Sequence, residues 1–205
     1  MKKIIVVGAS LAGVRACQNL RREGFEGDLT LVGDEKHLPY DRPPLSKTML
    51  TSDQDPLDLT LVSNSDLSEL GLDLILGEQA TALNTERSEV TVGGEEIRYD
   101  GLIIATGARA RKLSKFDDIG GIHTLRTVDD ALAIRSGLQS SSSVVIVGAG
   151  FIGSEVAAAA KQRGCQVTIV EATEAPLVRG LGVKVGDAYA NLLRSNDIDL
   201  RLGVS

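Results

Sequence analysis

The sequence predicts an α/β fold built from two βαβ units, the second incomplete, and three observations predict it. Ile4 to Gly13 reads IIVVGASLAG and Val144 to Gly153 reads VVIVGAGFIG, so an apolar run entering a glycine turn returns 140 residues later with four of ten positions identical. Apolar residues four apart follow each turn, Ala12, Ala16 and Leu20 in the first copy and Ile152, Val156 and Ala160 in the second, the spacing of one helix face. Each predicted helix then passes a glycine, Gly24 or Gly164, into another apolar β run, Leu29 to Val32 or Val167 to Val170.

A third strand closes each unit: Asp73-Leu-Ile-Leu-Gly77 recurs as Asp199-Leu-Arg-Leu-Gly203. In the first unit the chain continues through two short strand-like stretches, Glu89 to Val92 and Glu95 to Tyr99, to an apolar strand, Leu102 to Ala105, ending in Thr106-Gly107. The second unit stops two residues after its third strand, so the sequence reads as a fragment of a longer protein, with apolar surface and sheet edge expected to lie uncovered. Between the units, Thr127-Val-Asp-Asp130 has capping-box spacing ahead of a helix from Ala131 to Leu138, and Gln139 to Ser143 is a polar loop. The expected domains are 1–110 and 111–205, with the boundary between Gly107 and Thr127.

Composition narrows the function. With 42% hydrophobic and 24% charged residues, 205 residues can bury a core. The net charge of −6 and six aromatic residues supply neither the basic patches nor the stacking rings of a nucleic-acid groove. Cys17 and Cys165 stand far apart, as do His37 and His123, which argues against a zinc site or redox dithiol. Gly8 interrupts the N-terminal apolar run after four residues, no secretory cleavage pattern follows, and no run approaches the ~18 residues of a membrane span, so a reducing, cytoplasmic compartment is expected.

The 22 glycines are in surplus, and their placement carries the chemistry. A glycine turn between a buried strand and a helix lets backbone approach a pyrophosphate while the helix N-terminus offers free N–H groups and positive potential. Gly148-x-Gly150-x-x-Gly153 is the full pattern, and Glu171, 23 residues past Gly148, stands where an acid accepts both ribose hydroxyls of an adenosine. Ala172 and Thr173 supply no cation for a 2′-phosphate, so NADH is expected over NADPH. Gly8-Ala-Ser10-Leu-Ala-Gly13 is a weaker copy with serine at the middle position, strengthened by its βαβ frame and by Asp34 and Glu35 at the end of the second strand. Two such Rossmann-like turns imply two dinucleotides.

Four segments then resemble one family. Tyr40-Asp-Arg-Pro-Pro-Leu-Ser-Lys47, Ala105-Thr-Gly-Ala-Arg-Ala-Arg111, Thr124-Leu-Arg-Thr-Val-Asp-Asp-Ala131 and Val147-Gly-Ala-Gly-Phe-Ile-Gly-Ser-Glu155 are together similar to FAD-dependent NADH:ferredoxin reductases, over about the N-terminal half of such proteins. The resemblance implies the FAD/NAD-linked reductase fold. It implies FAD held by Gly8, Ser10, Leu11, Ala12 and Gly13, with Asp34 and its neighbour Glu35 toward the ribose, Ala80 holding adenine through its backbone, and Arg42, Thr106, Gly107 and Arg111 also against the cofactor. NAD(H) would lie on Gly148, Gly150, Phe151, Ile152, Gly153 and Glu171. Lys47 near the flavin ring and Glu155 facing the nicotinamide are the implied catalytic residues, and a ferredoxin-like or rubredoxin-like iron–sulfur protein is the implied electron acceptor. The 205 residues alone are not expected to be a competent reductase.

Each assignment has a plainer rival. Lys47 could be a solvated lysine opening a helix, Glu155 an acid complementing its helix dipole, and Arg109 and Arg111 surface residues. Ala110 and Ser10 depart from a proline and a glycine common in the family. Disulfide reductases carry a reactive cysteine after the first βαβ unit, but Gly33 to Leu50 contains none. The alternative function is a non-enzymatic nucleotide-binding module like apoptosis-inducing factor, which has a similar Arg-Pro-Pro-Leu-Ser-Lys segment.

Overall fold

The computed structural model describes residues 2–53, 55–113, 119–140 and 143–204. In chain order the elements are β1 (Lys3–Val7), α1 (Leu11–Arg22), β2 (Asp28–Gly33), a 3₁₀ turn (Pro43–Ser46), α2 (Thr48–Thr51), a second 3₁₀ turn (Pro56–Leu59), α3 (Asn64–Glu69), β3 (Leu72–Leu76), β4 (Ala80–Asn84), β5 (Glu89–Val92), β6 (Glu95–Arg98) and β7 (Gly101–Ile104). They continue as α4 (Val128–Ser140), β8 (Ser143–Val147), α5 (Phe151–Gln162), β9 (Gln166–Glu171), α6 (Val178–Leu181), α7 (Val183–Ser195) and β10 (Ile198–Leu202). Two compact units form, one from Met1–Asp41 and Leu57–Arg109, the other from Arg42–Pro56 and Ala110–Ser205.

In the first unit a parallel sheet runs in the order β3-β2-β1-β7, with Val7 opposite both Val32 and Ile104. Alternation along β1 and β2 divides their buried residues between two cores. Ile4, Val6, Leu29 and Leu31 pack with Val14 and Cys17 of α1. Ile5, Val7 and Val32 pack instead with Val90 and Val92 of an antiparallel meander, β4-β5-β6. The sequence pattern suggests two strands here, and the meander has three. Ala80 to Asn84 is mostly exposed and carries little β propensity, so only its pairing with β5 makes it a strand.

The second unit repeats the parallel arrangement as β10-β9-β8, with Val145 opposite Thr168 and Val147 opposite Val170. Ile146, Val167, Ile169, Ile198 and Leu200 are buried, with α5 packed on β8 and β9 and α7 on β10. Val145 and Val147, on the other face, are 67% and 66% exposed. Both long helices lie where their periodicity places them; Ala16 and Leu20 pack against the first core and Ala160 is buried as expected, but the first residue of each expected stripe is not. Val14 and Cys17 are buried in α1 and Ala157 and Ala160 in α5, whereas Ala12 and Ile152 are exposed. Those two residues sit in the first helical turn beside the glycine turn, past the ends of the strands that cover the rest of each helix.

The α4 helix begins three residues before the expected Ala131 and reaches Ser140, so it takes in the first residues of the expected polar loop; Ser141 and Ser142 of that loop lie outside the described residues. The capping spacing is real: Asp130 accepts the N–H groups of Arg126 and Thr127, and the Thr127 hydroxyl accepts the N–H of Asp130. Part of the expected boundary segment, residues 114–118, is also outside the described residues. Among the described residues, no helix is long and apolar enough to cross a membrane.

Candidate functional site

The first glycine turn is set by backbone crowding. Gly8 has φ +122°, donates its N–H to Val32 O, and would place a Cβ 2.1 Å from Ala105 O. A Cβ on Gly13 would lie 1.9 Å from Gly8 O, so α1 can start this close to β1 only with glycine there. Ser10 is the N-cap in extended conformation without a side-chain capping bond, and no acid occupies the first turn. The helix therefore opens with N–H donors and positive potential not used by a capping side chain. Leu11 and Ala12 beside them are exposed.

Around this turn the first unit gathers several of the sequence-selected residues. Asp34, just after β2, pairs with Arg109 at 3.4 Å across a solvent-exposed gap, an interaction worth little and easily exchanged. Glu35 is turned to Tyr40, whose hydroxyl donates to its carboxylate. Asp34 is thus the more available acid for a ribose. Ala80 opens β4, Thr106 and Gly107 follow β7 as exposed loop residues, and Arg111, also exposed, falls past the end of this unit.

The second turn has the same crowded end and a more open middle. Gly148 has φ +102° and donates to Val170 O, and a Cβ on Gly153 would lie 2.1 Å from Gly148 O. Gly150 is the N-cap of α5, with φ −81° and ψ −176°, and a Cβ there would meet no atom within 4 Å. Neither packing nor backbone conformation in this chain requires glycine at 150. The open space is a cradle, the N-cap lacks a side chain, and the first turn lacks an acid, which together fit a pyrophosphate. Phe151 and Ile152 flank it, 59% and 55% exposed.

Glu171 ties the turn to the end of β9. Its Oε2 accepts the Ala149 N–H at 2.7 Å, and its Oε1 accepts the Thr173 N–H and hydroxyl at 2.9 Å each. Burial raises the carboxyl's pKa, but these bonds, with the Ala172 N–H, outweigh it and hold the group below the ordinary glutamate value. Thr173 is a partner that sequence reasoning noted only as non-basic.

Arg42 and Lys47 belong to the second unit and not to that of the first glycine turn. Arg42 donates to Arg126 O at 2.7 Å. Lys47 Nζ stands 3.0 Å from Glu155 Oε1 and 3.1 Å from Pro43 O, while the Ser46 hydroxyl donates to Glu155 Oε2. Lys47 does open a helix and is half exposed, as its plainer reading has it, but its ammonium is paired with Glu155. Burial pushes the Glu155 carboxyl up, but the Ser46 bond and the bond and charge of Lys47 together bring it below the usual value. Arg163 anchors the segment by donating to Leu50 O and Ser52 O. Ser46 lay within the quoted motif, but nothing in its spacing pointed to Glu155; Arg163 gave no sequence signal.

Neither cysteine is set up for thiol chemistry. Cys17 and Cys165 are buried and not joined in a disulfide, and burial pushes the Cys17 thiol up to about 11, far from a reactive thiolate. Among the described residues no group of three or more His, Cys, Asp or Glu side chains could hold a metal ion.

Two glycine turns at open helix ends, in parallel sheets of matching order, define a two-dinucleotide fold, and the pyridine nucleotide-disulphide oxidoreductase family model matches residues 2–205. The chain belongs to that family. It is 38% identical to the ferredoxin–NAD(+) reductase component of the p-cumate 2,3-dioxygenase system of Pseudomonas putida, over 100% of this chain and 51% of the relative. It is 42% identical to the corresponding component of the biphenyl dioxygenase system of Paraburkholderia xenovorans strain LB400, over 89% and 45%. The reductase in a covalent putidaredoxin reductase–putidaredoxin complex superposes with a TM-score of 0.94 at 34% identity, over 100% of this chain and 50% of that one. The chain thus spans about half the length of the relatives it matches.

Proposed function

We propose that this chain carries the dinucleotide-binding machinery of an NADH-dependent flavoprotein reductase whose electrons pass singly to a ferredoxin-like or rubredoxin-like iron–sulfur protein. The observation that carries the reading is the pair of open-ended glycine turns, one followed by the available acid Asp34, the other by Glu171, with Glu155, the partner of Lys47, two residues past Gly153. The names of the relatives at 38% and 42% identity support the class of acceptor. They favour it over the inert nucleotide-binding module.

In this reading residues 1–110 bind FAD and 111–205 bind NAD(H). FAD would be held by Gly8, Ser10, Leu11, Ala12, Gly13, Asp34, Glu35, Ala80, Thr106, Gly107 and Arg111, with Arg42 and Lys47 also toward it. Bound FAD supplies the hydride acceptor and the conversion of two-electron to one-electron transfer. The chain's residues bind and orient. The α1 and α5 N-termini neutralise pyrophosphate charge, and Glu171 meets the adenosine ribose while lacking a cation for a 2′-phosphate. Lys47 would offer positive charge toward the flavin, with its ammonium paired to Glu155. A reducing, cytoplasmic compartment suits two buried cysteines not joined in a disulfide.

The test is to load the full-length protein that carries this chain with FAD, add NADH without oxygen, and follow flavin absorbance, then reduction of an added ferredoxin. Bleaching by NADH and ferredoxin reduction support the reading. Retained FAD that NADH does not bleach would favour the inert module.

A further inference from the structure

Glu155 is held by two consecutive residues, one at each carboxylate oxygen. Lys47 takes Oε1 at 3.0 Å, and the Ser46 hydroxyl donates to Oε2. Ser46 ends the 3₁₀ turn Pro43–Ser46 and is 6% exposed, whereas the Lys47 and Glu155 side chains are 52% and 34% exposed. The buried member of the trio is therefore the neutral one. A surface ion pair between two flexible side chains costs rotamer entropy and has little net strength. A buried hydroxyl on a short turn has far fewer orientations to lose.

We infer that Ser46 is a positioning residue: its hydroxyl fixes the Glu155 carboxylate so that Oε1 faces Lys47, and thereby sets the placement of the Lys47 charge. The inference rests on the proposed reading of Lys47 and Glu155 as the pair serving hydride transfer. Other elements packed on α5 offer no substitute. The Pro43–Ser46 turn, α2 and β8 carry no ionisable side chain, and β9 brings Glu171, whose carboxylate is engaged by Ala149 and Thr173. Lys47 is left as the charged group beside Glu155 among the described residues. Ser46 acts through Glu155, so its removal should alter that carboxylate's titration and orientation without touching the glycine turn.

The experiment uses the full-length protein that carries this chain, labelled with ¹³C at the glutamate carboxyl carbons, the Glu155 signal being assigned by its loss in Glu155→Gln. In Ser46→Ala the Glu155 midpoint should rise by about half a pH unit or more, because a hydrogen bond to the charged form is lost. In Ser46→Cys, a weaker donor of similar size, it should rise less, and this variant decides the matter if the alanine form does not fold. NADH bleaching of the FAD-loaded protein should slow several-fold in Ser46→Ala at saturating NADH, with KM for NADH within about twofold. An unchanged Glu155 titration in a folded variant, or unchanged bleaching despite a moved titration, overturns the assignment. Should the wild-type protein not be bleached at all, the reading of the pair fails, while the carboxyl titration still decides whether Ser46 orients Glu155.

Discussion

The Ala149 N–H donates to Glu171 Oε2 at 2.7 Å, so the acid that closes β9 also holds the glycine turn that opens α5. One side chain thus shapes the pyrophosphate site and, in the proposed function, reads the ribose. Replacing Glu171 should disturb both roles together.

Glu171→Ala is expected to lower NADH affinity about tenfold or more and to narrow the preference for NADH over NADPH, measured by titration of the chain with each nucleotide. It should also cost about 1.5–3 kcal/mol in chemical denaturation, the usual range for lost bonds to a charged group. The pH dependence has a definite sign. Folding depresses the Glu171 pKa, so its contribution is fully present above the unfolded glutamate value and is lost as pH falls through the folded one. The stability gap between wild type and Glu171→Gln should close under acid conditions and stay constant near neutrality.

The two glycine turns separate packing from binding. Gly8→Ala forces a Cβ to within 2.1 Å of Ala105 O at φ +122°, and should destabilise the first unit by more than about 3 kcal/mol. Gly150→Ala meets open space at an ordinary φ of −81° and should leave stability within about 0.5 kcal/mol of wild type. Its methyl group would occupy the cradle, so NADH binding should weaken about tenfold or more. Thermal unfolding and isothermal titration of both variants check this. An unfolded Gly150→Ala, or one that binds NADH normally, contradicts the cradle.

This difference marks the limit of what the sequence makes legible. Residues 8, 13, 148, 150 and 153 all read as glycines of a dinucleotide turn, and the parallel order β3-β2-β1 with its echo β10-β9-β8 follows from the repeated segments. Periodicity located α1 and α5 and selected residues that pack, Ala16, Leu20 and Ala160, but also Ala12 and Ile152, which are as apolar as those and are exposed by their place in the first turn. β4 was missed because its pairing with β5, not its own residues, makes it a strand. Contacts across long stretches of chain, such as Ser46 to Glu155 or Arg163 to Leu50, leave no periodic trace.

Arg21 shows the same limit and gives a stability prediction. Its guanidinium donates to the carbonyls of Leu70, Phe25, Gly27 and Gly71 and lies over the Phe25 ring, tying the end of α1 to the approaches of β2 and β3. Arg21→Ala should cost about 2–3 kcal/mol, since several carbonyls lose a charged donor together. Arg21→Lys should recover only a minor part, because an ammonium cannot span the same carbonyls as a planar fork. Urea denaturation of the two variants measures the difference; full recovery by lysine would show that charge alone matters.

The repeat offers an internal control on burial. Ile5 and Val145 hold equivalent places in the two glycine-turn segments, and each lies opposite a threonine, Thr30 or Thr168. Ile5 is fully buried among Val90, Val92 and their neighbours in the meander core, while Val145 is 67% exposed. Ile5→Ala should therefore cost about 2–5 kcal/mol, from lost transfer energy and an unfilled cavity. Val145→Ala should change stability by less than about 0.5 kcal/mol, since little apolar surface leaves water there on folding. Denaturation at two protein concentrations makes the comparison informative in either direction. A large cost for Val145→Ala that grows with concentration would mean that a second molecule covers this face. A large cost independent of concentration would mean that Val145 is buried within the chain itself, contrary to the exposure of β8.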